Sequence, residues 1–174
     1  MNTFRPSLLI LGLALSSTSA AAVSETRDGY FKTESVVLVN LPPAAAWRGL
    51  IRIPAWWDPE HTWSGTAKNL SLEPRGGGCF CEKLADGGSV QHARVVFAQP
   101  GKLLRMDGAL GPLQEMAVSG VITVSLEEKD GTTTAVVTHR VSGDPSHKLD
   151  ALAPIVDQVN GLQFGAFAAD AARL

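Results

Sequence analysis

The chain has two cysteines in 174 residues, Cys79 and Cys81, too few for a structural zinc site, which takes four ligands. Excess charge of either sign is absent too: the formal net charge is −2, and no run of five basic residues occurs. Neither provides the electrostatic footprint of a nucleic-acid binder. No apolar segment reaches the roughly 20 residues that a membrane-spanning helix needs. Several catalytic signatures are also missing. There is no G-x-S-x-G nucleophile elbow and no H-E-x-x-H zinc helix. The glycine-rich stretches "EPRGGG" and "GGGCFC" precede a strand rather than a helix, which excludes a P-loop or a dinucleotide fingerprint. What is present is ordinary globular material, 45% apolar and 18% charged, of a length that suits one domain with a real core.

The N-terminus reads as an export signal. Arg5 precedes an apolar run from Leu8 to Leu15, small residues follow from Ser16 to Ala22, and the first acidic residue is Glu25. That pattern predicts a cleaved signal peptide over 1–22 and a mature domain over 23–174. The expected location is therefore periplasmic or secreted, with no stable membrane insertion after cleavage.

Along the mature chain, the β-branched density of "GYFKTESVVLVN" predicts a strand. Pro42 and Pro43 then open a helix that carries Trp47 and Leu50 on one side, and a second short helix is expected near Ala55 to Asp58, ended by Pro59. Strands follow at Asn69–Glu73, at Cys79–Leu84, in "SVQHARVVFAQ" and in "KLLRMDGAL", with turn signals at Asp86-Gly87-Gly88 and Gln99-Pro100-Gly101-Lys102. Two long β-rich runs flank Asp130-Gly131, the clearest hairpin in the chain. The final segment carries Leu149, Leu152, Ile155, Val156, Val159 and Phe164 at helical spacing, with Pro154 either starting or kinking the helix. The order β–α–α–β–β–β–β–β–β–α predicts an α+β fold with an antiparallel sheet whose one face is covered by the last helix.

This order, with "LPPAAAWRGL" after the first strand, the segment "IPAWWDPEHTW", the paired strands "GGGCFCEKL" and "GGSVQHARVVFAQPGKLLRM", and the C-terminal helix, resembles the START-like (SRPBCC) superfamily. That superfamily includes polyketide cyclases, plant pathogenesis-related allergens and lipid-transfer domains. The resemblance runs from about Gly29 onward and implies a helix-grip fold: a curved antiparallel sheet of about six or seven strands wrapped around a long C-terminal helix, with two short helices after the first strand. It also implies an internal cavity, with the loop Asp107 to Gly120 near its mouth. One scaffold carries many functions, so chemistry has to be argued from residues.

Two readings of function stand side by side. The first is binding of a hydrophobic small molecule, a lipid or an aromatic compound, by a protein that needs no cofactor or metal and is a monomer or weak homodimer. Clustered indoles suit either a cavity wall or a packed corner. The expected cavity residues are Trp56, Trp57 and Trp63 from the aromatic segment, Phe97, Met106 and Met116 from the strands and loop, and Phe164 from the helix. The alternative is a cyclase- or dehydratase-like enzyme using His61 or His92 as base with Arg94 stabilising an anion; Asp58 and Glu115 are further acid–base candidates. In a regular strand His92 and Arg94 share one face with Val90 and Val96, while Val95 and Phe97 share the other. His139 and Arg140 must point to opposite faces, so one is exposed. The two cysteines share a strand face. A bridge closing so small a ring is strained, so two free thiols are expected; the alternatives are a redox-active pair or partial metal ligation with His61 or His92.

Overall fold

The computed structural model describes residues 20–173. Eight antiparallel strands form one sheet: β1 (Ala20–Arg27), β2 (Tyr30–Val39), β3 (Leu70–Leu72), β4 (Cys79–Lys83), β5 (Ser89–Gln99), β6 (Leu103–Asp107), β7 (Ser119–Lys129) and β8 (Thr132–Ser142). Their spatial order is β1-β2-β8-β7-β6-β5-β4-β3. Three helices accompany them: α1 (Pro43–Leu50), α2 (Ile53–Trp56) and the long α3 (Leu149–Ala171). The architecture is α+β, a curved antiparallel sheet holding a C-terminal helix.

The sheet has one strand more than the seven in the expected order of elements. The added strand is β1, which pairs with β2 as a hairpin. Its sequence, "AAAVSETR", has little β-branched character, and pairing with β2 holds it extended rather than local propensity. The leader expected over 1–22 lies outside the described residues as far as position 19. Among the described residues, no helix is long and apolar enough to cross a membrane.

Local chemistry explains the other elements. Pro43 occupies the first turn of α1, where its missing N–H costs nothing, and Trp47 and Leu50 are buried. The short α2 begins at Ile53, two residues earlier than expected. Asp130 and Gly131 both have positive φ (52° and 77°), the backbone of a two-residue turn whose twist matches its strands. Pro154 lies inside α3, which starts at Leu149; the helix continues through it, lacking one N–H donor.

Cys79 and Cys81 form a disulfide rather than two thiols. Their Cα atoms are 5.4 Å apart, against the ~6.6 Å of two residues in a regular strand. The bridge contracts β4, and the partner strand carries the surplus. Cys79 faces Arg94, Phe80 faces Ala93, and Cys81 faces Gln91, so His92 is the extra residue of a bulge. A second bulge leaves Val96 unpaired between Val95 and Phe97. Regular alternation along β5 therefore fails twice.

The core divides in two. The larger cluster joins α1, α2, the inner faces of β2 to β8 and the C-terminal half of α3, with Leu50, Phe80, Val95, Leu104, Phe164 and Phe167 buried. The smaller one gathers Phe31, Leu113, Val141, Leu149 and Ala153 around the N-terminal half of α3. A polar set is buried on the elements that carry both: Thr33 and Ser35 on β2, His139 on β8, and Asn160 and Gln163 on α3.

Candidate functional site

A cavity of about 460 Å³ opens beside the middle of α3. Leu152, Ile155, Val156, Val159 and Asn160 of α3 form one wall; Leu110 to Leu113 and Met116, between β6 and β7, form another. The segment Trp57, Glu60, His61, Thr62 and Trp63 closes a third side, and His92 and His139 reach in from the sheet. Trp63 and Ile155 are 50% and 61% exposed, so they mark the mouth. Among the described residues, no lysine or arginine borders it.

The first polar group of the cavity follows from the β5 bulge, which turns His92 inward beside Ala93. There its Nε2 lies 2.8 Å from Oε2 of Glu82, and the carboxylate is fully enclosed. Glu82 also accepts the backbone N–H groups of Trp63 (3.1 Å) and Ser64 (2.6 Å). Burial pushes its pKa up, but the hydrogen bonds from Ser64, Trp63 and His92 outweigh burial and hold it below its ordinary value. An ionised carboxylate only accepts, so the hydrogen of this contact sits on Nε2. The other ring nitrogen, Nδ1, has no hydrogen-bond partner among the described residues. The His92 ring packs on Phe80 at 4.9 Å, and Phe80 meets Trp57 edge-on at 5.3 Å.

Asn160 and His139 make the second polar group. Asn160 Nδ2 donates to Thr33 Oγ1 at 3.1 Å and lies 3.4 Å from His139 Nδ1. His139 is 1% exposed, packs edge-on against Phe31, and its Nε2 has no partner among the described residues. Burial lowers its pKa from 6.5 to about 4, so the ring is neutral at pH 7.

The aromatic segment is fixed by its own backbone. Asp58 caps the turn Pro59–His61 by accepting from Glu60 N at 3.0 Å, and its own N–H donates to Gln163 Oε1 at 2.9 Å. Trp57 Nε1 donates to the carbonyl of His61 at 3.0 Å, which holds the indole along the cavity.

The structure divides the residues singled out from sequence. Trp57, Trp63 and Met116 border the cavity, as do His61 and His92. Trp56, Met106 and Phe164 do not: they surround a void of about 10 Å³ inside the larger core cluster, no bigger than the ~10–15 Å³ one water requires. There Trp56 donates to the carbonyls of Gly49 and Leu50 and lies 5.7 Å from both Phe164 and Phe167. Phe97 is 45% exposed on the outer face, because the bulge at Val96 reverses the alternation just before it. Arg94 is also exposed on that side, one residue after buried Ala93, so the His92–Arg94 pair does not form. Asp58 is a turn cap, and Glu115 is exposed. Sequence reasoning missed Glu82, His139 and Asn160. Each stands at a position whose neighbours in the pattern are buried apolar residues: Phe80 for Glu82, Val137 and Val141 for His139, Phe164 for Asn160.

No protein-family model matches the chain, and no curated protein does. Solved structures do. A protein of unknown function from Staphylococcus aureus superposes with a TM-score of 0.59 at 12% identity, over 83% of this chain and 94% of that one. An uncharacterised protein from Rhizobium leguminosarum gives 0.58 at 17%, over 90% and 99%. The di-domain ARO/CYC StfQ of the steffimycin biosynthetic pathway gives 0.57 at 16%, over 84% of this chain and 52% of that one. Identities this low speak to fold alone, and the fold they share with this chain is the helix-grip class.

Proposed function

We propose that this protein binds a hydrophobic small molecule, a lipid or an aromatic compound, in the cavity beside α3. The observation that carries the reading is the cavity itself. About 460 Å³ falls within the ~300–1,000 Å³ typical of small-molecule sites. Its walls are mainly Leu, Ile, Val, Met, Pro and Trp, with a few polar groups at fixed points. An apolar ligand entering there loses its contact with water and gains packing on both indoles. We place the protein in the periplasm or outside the cell, on the strength of its N-terminal sequence pattern.

A second reading has one observation of its own. Glu82 orients His92 and leaves Nδ1 free, an arrangement suited to general-base removal of a proton from a bound substrate. The ARO/CYC likeness makes such chemistry a fair comparison at the level of fold. Binding remains the leading proposal because the anion-stabilising arginine lies outside the cavity.

Native mass spectrometry of protein purified from its own host, with organic extraction of the same sample, tests the proposal. The expected result is one class of small apolar molecule retained by the chain. A chain that carries nothing and takes up no member of a hydrophobic panel would sink it. Should a bound compound be turned over, and turnover stop in His92→Gln while binding persists, the catalytic reading replaces the carrier one.

A further inference from the structure

We infer that the cavity selects an uncharged ligand bearing an oxygen acceptor, such as a ketone or ester carbonyl on an apolar body, and that His139 Nε2–H is the donor that seats it. The inference rests on the ligand-binding reading above and specifies its chemistry.

Two observations converge. The first is the hydrogen-bond chain at the cavity's inner side. The carboxamide nitrogen of Asn160 has two hydrogens; one goes to Thr33 Oγ1 at 3.1 Å and the other toward His139 Nδ1 at 3.4 Å. A neutral imidazole that accepts at Nδ1 carries its hydrogen on Nε2. Burial keeps the ring neutral, with a pKa near 4. Its Nε2 therefore carries a hydrogen with no partner among the described residues, enclosed on a ring that borders the cavity. An unused buried donor is costly, and a ligand acceptor removes that cost. Thr33, directly across from His139 in the β2–β8 register, anchors the chain to the sheet.

The second observation concerns charge. Among the described residues no lysine or arginine borders the cavity, whereas Glu60 does. A buried carboxylate or phosphate ligand would have no fixed cation to meet, and burying an unpaired anion is prohibitive. The donor at His139 is neutral, so it suits a neutral acceptor.

The test uses two probes of equal size, 2-acetylnaphthalene and 2-isopropylnaphthalene, which differ in the carbonyl oxygen. Their dissociation constants are measured by quenching of tryptophan fluorescence in the full chain and in His139→Leu. Comparing the ketone-to-hydrocarbon affinity ratio between the two proteins cancels the probes' own hydration. The expected result is a fall of about 5–10-fold in that ratio on substitution, one hydrogen bond's worth. His139→Gln, which keeps a donor, should retain more of the ratio than His139→Leu. Equal ratios in wild type and His139→Leu, with both probes still bound, would overturn the inference while leaving the cavity reading intact; a buried water would then hold Nε2. If neither probe binds the wild type, both fail. Should His139→Leu not fold, the ¹⁵N resonance of His139 Nε2 in the wild type decides. A shift with the ketone alone supports the assignment, and equal responses to both probes contradict it.

Discussion

Glu82 carries more of the site than any other single side chain, because it ties three segments together at one carboxylate. It holds the backbone at Trp63 and Ser64 and fixes His92. Replacing it with leucine strands the imidazole and two N–H groups, so Glu82→Leu should cost about 3–5 kcal/mol in urea unfolding, the scale of breaking a buried pair. His139 gives a prediction of opposite pH character to an exposed histidine. Its folded pKa lies near 4 against 6.5 unfolded, so between those values the unfolded chain binds the proton and the native chain does not. Stability from this group is undiminished above pH 6.5 and falls by roughly 3 kcal/mol as pH drops to 4. A folded His139→Phe variant should lose that slope in pH-dependent denaturation. Glu82, whose pKa is lowered, stabilises above its unfolded pKa and loses that contribution only as pH falls through its lower folded value. At this scale the sequence was half legible. Trp57, Trp63 and His61 stand out by composition, whereas Glu82, His139 and Asn160 look like errors in an apolar pattern until their partners are known.

Among the elements, β5 decides which residues reach the cavity. A regular strand would put His92 and Arg94 on one face and Val95 and Phe97 on the other. The bulges at His92 and Val96 send His92 inward and Phe97 outward. Bulges leave little trace in sequence, because they arise from pairing with another strand. Here the partner's Cys79–Cys81 bridge and the surplus residue in β5 lie face to face. Gly108, at the end of β6, makes the same crowding visible: a Cβ there would lie 2.5 Å from the His92 carbonyl and 2.7 Å from Ala93 Cα, both backbone atoms. Reducing the bridge should have a small global effect and a larger local one. A ring this short is worth about 1.5 kcal/mol of chain entropy, yet its loss lets β4 lengthen and His92 leave its place on Glu82. The expected outcome of Cys79→Ser/Cys81→Ser is a modest fall in melting temperature with a several-fold loss of probe affinity. Unchanged affinity would mean that the bulge holds without the bridge. The first strand was illegible for a related reason, since its small residues resemble the tail of a leader and become a strand only by pairing with β2.

For the whole molecule, the sheet and α3 enclose two apolar clusters with a polar set on the elements between them, and the cavity opens along the middle of the helix. This much was readable from the sequence: the order of elements from β2 onward and the gripping helix. Which half of the aromatic segment faces the cavity was not, because Trp56 and Trp57 are adjacent and the turn into Pro59 sends one to the core and the other to the wall. The central claim is that this space accepts an uncharged apolar molecule. The most direct measurement is a two-dimensional ¹H–¹⁵N titration of the full chain with 2-acetylnaphthalene. The account predicts saturable shifts confined to the indole of Trp57, the loop Gly111 to Met116, and Leu152 to Asn160 of α3. Shifts confined instead to the outer face around Leu38, Val96 and Phe97, or none at saturating probe, would contradict it.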